Sequence, residues 1–162
     1  MKRGTTMDKK EKLIESASNE KTQRDFYEKL RKKVHDYVDE HPGSKYTEYL
    51  LLVPDFFHLL CKLLGDSRVP FKNKALIAAA ITYFVSPLDI ITDMIPGIGL
   101  IDDVYLTTYV LNSLLKSVDE AIIIELWAGD GDVLSLIKQV FDFADEFAGK
   151  GIITKILDFI KK

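Results

Sequence analysis

Asp89 and Asp93 stand four residues apart, so on a helix they share one face, about 6 Å apart along the axis. Pro96-Gly97-Ile98-Gly99 is a tight turn that brings Asp102 and Asp103 back towards the same end. Four carboxylates converging on one spot repel each other, and something must offset their charge. One solution is a hard cation, Mg²⁺, Mn²⁺ or Ca²⁺, held through oxygens alone. That arrangement would suit a metal-dependent enzyme such as a hydrolase. No histidine is close in sequence to these aspartates, which argues against zinc or a di-iron pair. The other solution is structural. Asp89, at the third position of a short helix, and Asp102 or Asp103, in the first turn of the next, lie where acids stabilise a helix by about 0.3–1 kcal/mol each. Asp93 fits this less well, because it nears the C-terminal end of its helix and forms a like-charge pair with Asp89. It would then accept hydrogen bonds from loop N–H groups around Ile95–Leu100. Capping is the simpler reading, since carboxylate clusters are often structural networks.

Other candidates are weaker. His58 and Cys61 lie three apart and could share a helix face, but a packed cysteine beside a half-buried histidine accounts for them without a nucleophile. Asp130-Gly131-Asp132 lacks the further ligands of a calcium loop and reads as a turn and helix cap. There is no phosphate-binding glycine loop, serine elbow or His-Glu zinc motif. A single cysteine excludes an intramolecular disulfide.

The elements that must position these residues are all helical. From Thr22 a helical face runs through Phe26, Tyr27, Leu30, Val34, Tyr37 and Val38, and His41-Pro42-Gly43 stops it. Lys29, Arg31, Lys32 and Lys33 read as its solvated face. Residues 46–53 form a short apolar turn or helix. Pro54 suits the start of a helix to about Leu64, where its missing N–H costs nothing. Residues 65–70 form a loop. Residues 71–85 make a helix, apolar almost all round from Ala75 through Val85, which implies burial on every side there. Ser86-Pro87-Leu88-Asp89 is a capping-box pattern that starts a short helix, about 87–94. Further helices are expected over about 100–118, over 119–128, and from Asp132 to Gly149. In the last of these Val133, Leu136, Ile137, Val140, Phe141, Ala144 and Phe147 keep one face. Residues 152–162 are amphipathic.

Composition changes sharply along the chain. Residues 1–45 hold 11 hydrophobic residues in 45, and residues 46–162 hold 65 in 117. The expectation is therefore a polar arm over 1–21, without order, followed by a single helical domain over 22–162. The fold class is all-α: a compact bundle of six or seven helices around a central apolar hairpin made by 71–85 and 100–118. A net charge of −3 argues against general nucleic-acid binding. Met1 to Lys12 has no apolar stretch, so no secretory signal is expected. The longest uncharged windows are 75–88 and 104–115, short of the roughly 18–20 residues that cross a bilayer. The apolar share of the body is high for a soluble domain. It points to a cover: lipid, a partner protein or a second copy.

The run Ser86-Pro87-Leu88-Asp89-Ile90-Ile91-Thr92-Asp93-Met94-Ile95-Pro96-Gly97-Ile98-Gly99-Leu100-Ile101-Asp102-Asp103 carries a resemblance. With Leu59-Leu60, Asp66, Arg68-Val69-Pro70, Lys74 and Tyr83 upstream, it resembles the YkvA-like family, a bacterial domain of unknown function, over about 54–118. Thr92 departs from the pattern, which usually has proline there, and leaves the backbone at Asp93 freer. The resemblance implies a small helical domain and supplies no catalytic residues. Family members are described as membrane-associated, and a related domain lies in the membrane region of an animal RING-type ubiquitin ligase. The expected function is a non-enzymatic membrane-peripheral or protein-interaction module, located in the cytoplasm at or partly within the inner membrane. The alternatives are the four-aspartate metal enzyme and a soluble homo-oligomer.

Overall fold

The structure is a computed structural model that describes residues 4–43, 47–85 and 98–147, with the backbone alone for residues 4–8, 84–85, 98–103 and 146–147. All regular structure among the described residues is helical: α1 (Gly4–Ala17), α2 (Glu20–Glu40), α3 (Thr47–Leu51), α4 (Val53–Leu64), α5 (Phe71–Val85), α6 (Ile98–Leu114), α7 (Glu120–Leu126) and α8 (Val133–Phe147). The all-α bundle read from the sequence is the observed fold. No described helix is long and apolar enough to cross a membrane. The short helix expected over 87–94 and the amphipathic segment 152–162 lie outside the described residues.

Local chemistry sets most of the boundaries. Asn19 caps α2, its side chain accepting a hydrogen bond from the Thr22 N–H at 3.0 Å. The His41 N–H closes that helix on the Tyr37 and Val38 carbonyls, and Gly43 then takes φ +83°, where a side chain would be strained. Pro54 lies in the first turn of α4, where it displaces no hydrogen bond. A single long helix does not continue through residues 114–119. The chain turns after Leu114, and Asp119 restarts it by accepting from the Ala121 N–H at 3.0 Å. An extended aspartate with its own side-chain acceptor competes better for these N–H groups than a continued helix does.

Three helices share the centre. α5 and α6 run antiparallel, since Asn73 near the start of α5 donates to Ser117 just past the end of α6 at 2.8 Å. α4 packs on both of them and also on α2, α3 and α7. Its apolar residues come in pairs, Phe56-Phe57, Leu59-Leu60 and Leu63-Leu64, one turn apart and all buried, so more than half of its circumference faces the core. Phe57 meets Phe26 of α2 with ring centroids 4.9 Å apart. α8 lies along α6, with Phe141 stacked on Tyr105 at 5.7 Å.

The middle of α5 is completely buried. Ile77, Ala78, Ala79, Ala80 and Ile81 are each 0% exposed. Five successive residues at about 100° apiece span the whole helix circumference. α2, α4 and α6 supply part of that cover, and α1 supplies the rest.

This differs from the arm without order expected over residues 1–21. Residues 4–17 form α1, with Leu13 and Ala17 buried and Ile14 partly buried against the core. Three apolar positions near one end are too few for a visible helical period. An isolated helix of this length is marginal in water, so α1 owes its order to packing on α5.

Candidate functional site

The four aspartates divide across the boundary of what is described. Asp89 and Asp93 lie outside the described residues. Asp102 and Asp103 are the fifth and sixth residues of α6, one turn past its start at Ile98 and so outside the first turn where the capping reading places them, with only their backbone described. Among the described residues no group of three or more His, Cys, Asp or Glu side chains could hold a metal ion.

The His58–Cys61 pair faces α2. His58 meets the edge of Tyr27 at 6.3 Å between ring centroids. Burial pushes the Cys61 thiol up to about 12, so at neutral pH it is a protonated, packed side chain rather than a nucleophile. Phe57, His58 and Cys61 of α4 form a shallow groove of about 190 Å³ with Glu20, Gln23, Arg24 and Tyr27 of α2. Ligand pockets usually hold roughly 300–1,000 Å³, so this groove suits a side chain better than a metabolite. One turn back, burial raises the pKa of Asp55, while the nearby charges of His58 and Arg31 pull it down.

Polar chemistry inside the bundle joins elements together. Thr108 bends its hydroxyl back to the Val104 carbonyl at 2.8 Å, which satisfies a buried hydroxyl within its own helix. The Tyr105 hydroxyl hydrogen-bonds Asp145 of α8. Burial foremost, and then that carboxylate, push the phenol up to about 12, so it stays neutral and donates. The indole Nε1 of Trp127 is buried with no hydrogen-bond partner among the described residues, while its ring packs on Phe56 at 5.4 Å. Gly129 lets the chain pass this indole, because a Cβ there would fall inside the ring's van der Waals envelope.

A polar network centred on Arg68 ties the α4–α5 loop to α7. The Arg68 guanidinium reaches Asp66 Oδ2 and Glu125 Oε2, both at 2.8 Å, and its Nε donates to Asp66 Oδ1 at 2.9 Å. The planar fork suits two carboxylates at once. Arg68 holds Asp66 down at about 2 and lowers Glu125. Both folded pKa values lie below the unfolded ones, so the ionised network stabilises above about pH 4. Its contribution is lost as pH falls towards 2. Arg68→Ala is expected to flatten the fall of melting temperature between about pH 4 and pH 2. Parallel acid profiles for the two proteins would dismiss the network as a stabilising element. The motif residues Asp66 and Arg68 are visible in the sequence, but their third partner, Glu125, carries no local signal.

The basic cluster on α2 is a solvated face, as its spacing suggests. Lys32 pairs with Asp36 at 2.8 Å, and Lys21 with Asp25 at 2.9 Å, both four apart and exposed.

Comparison with known proteins falls on the central hairpin. A family model described as "Protein of unknown function (DUF1232)" matches residues 73–109, from Asn73 in α5 to Tyr109 in α6. The hairpin is thus similar to an uncharacterised domain family. "Uncharacterized protein ORF9" of Methanothermobacter thermautotrophicus is 24% identical over 100 residues, covering 61% of this chain and 68% of the relative. No solved structure matches.

Proposed function

We propose that the chain is a non-enzymatic protein-interaction module, with α5 as its contact helix and α1 as a displaceable cover. The complete burial of residues 77–81 of α5, partly under a mostly polar helix, carries this reading. The described side chains of α1 that enter the core are Leu13, Ala17 and, in part, Ile14, while Glu11, Lys12, Glu15 and Ser16 stay exposed. Burying one leucine and fractions of two smaller contacts stabilises by about 2–4 kcal/mol, within reach of local opening. Residues 75–81 of α5 carry no polar side chain to present once α1 leaves, so the uncovered surface needs an apolar partner. The shared segment 73–109 spans the Ser86–Asp103 motif, which supports treating the hairpin as YkvA-like.

Leu13→Asp tests the reading by placing a charge under α1. The expected variant binds an apolar dye several times more strongly and loses no more helical signal than α1 contributes. Self-association of that variant supports a protein partner. Flotation with phosphatidylglycerol vesicles instead would make the partner a membrane surface. Unchanged dye binding, or collapse of the whole helical signal, would overturn the cover.

A further inference from the structure

We infer that α1 is exchanged between two copies of the chain, each α1 covering the α5 of the other. This rests on the cover reading and names its partner. Only Ser18 and Asn19 separate α1 from α2, and neither is glycine or proline. The Ser18 N–H still reaches the Ile14 carbonyl at 2.9 Å, and the Gln23 N–H already reaches the Asn19 carbonyl at 3.0 Å. The helical ladder is therefore intact up to both sides of the turn.

Asn19 has φ −65°, a helical value, and only its ψ of 114° lies outside the helical range. Turning that torsion would join residues 4–40 into one straight helix. The turn is held by two side-chain bonds: Asn19 Oδ1 accepts from Thr22, and Gln23 Nε2 donates to the Ala17 carbonyl at 2.7 Å. Straightening gives up both and restores helical backbone bonds for the N–H groups that the turn leaves without helical partners. In the straight form Leu13 and Ala17 leave their own α5, and two apolar surfaces that already fit each other are parted. A second copy offers the same surfaces in the same register, so reciprocal exchange recovers all of that burial.

Two substitutions push the hinge in opposite directions. Asn19→Ala removes the cap and favours the continuous helix, which shifts the dimerisation constant about five- to tenfold towards dimer. Glu20→Pro fits the first position of α2, where no N–H is needed, and holds Asn19 extended, so a continuous helix is barred. Light scattering on full-length protein, from micromolar to near-millimolar concentration, reads the result. Exchange predicts a wild-type dimer at high concentration, a tighter one for Asn19→Ala, and a monomer throughout for Glu20→Pro with unchanged circular dichroism. A Glu20→Pro dimer as tight as wild type overturns it, as does an Asn19→Ala chain monomeric at every concentration. If Glu20→Pro loses its helical spectrum, Asn19→Ser decides, because it keeps the cap: equal constants for Asn19→Ser and Asn19→Ala overturn exchange. A monomeric chain whose Leu13→Asp variant still takes up dye removes the exchange and leaves the cover standing.

Discussion

Phe57→Ala lowers the stability of the chain by about 3–5 kcal/mol, the usual cost of emptying a buried phenylalanine site. At about 2–4 °C per kcal/mol for a domain of this size, the melting temperature falls by about 6–20 °C. The reason is position. Phe57 is 1% exposed and lies on the α2–α4 contact, where its ring meets Phe26. The cavity opens between two helices that are separate elements, and neither can close on it without losing its own contacts. Phe71, at the exposed start of α5, gives the contrast: its truncation should stay within about 1 kcal/mol. Calorimetry of the two variants decides, and a Phe57→Ala loss no larger than that of Phe71→Ala would show that α2 is not seated on α4 as described.

Leu106→Ala in α6 is expected to cost about 2–5 kcal/mol in plain aqueous buffer. Leu106 is fully buried, as are its neighbours Val104, Val110 and Leu111, and α6 packs on α4, α5 and α8. A hairpin whose apolar residues faced lipid would have left this side chain without protein contacts, and its truncation would matter little. Urea unfolding of the purified variant without detergent is the measurement. A midpoint equal to that of wild type would return Leu106 to the surface and reopen the hairpin as a membrane element.

The extent to which the fold was legible follows from the range of each signal. The ends of α2 and the start of α4 are written in caps, glycine and proline, which act over three or four residues. Of the face read on α8, Val133, Ile137, Val140 and Ala144 are buried and Leu136 and Phe141 partly so, while Phe143, outside that reading, is buried as well. The break after Leu114 was harder to see, because it turns on one aspartate that could equally have continued a helix. The candidate site was legible in part. Cys61 is a packed thiol, whereas Asp102 and Asp103 lie on a helix that already starts a turn earlier, at Ile98. The third arm of the Arg68 network was not, since Glu125 lies 57 residues away and nothing local selects it.

Sequence alone determined that this chain is helical, where most of its helices begin and end, and that the apolar stretch beginning at Ala75 needs cover on every side. Those are consequences of backbone hydrogen bonding and of apolar periodicity, both of which act locally. What does the covering was decided only by tertiary structure. The segment that read as a polar arm supplies α1, because two or three apolar side chains suffice for a cover when the surface beneath is already shaped by alanines. Contact between α1 and α5 joins segments more than 50 residues apart, and burial energy depends on that proximity rather than on any spacing along the chain.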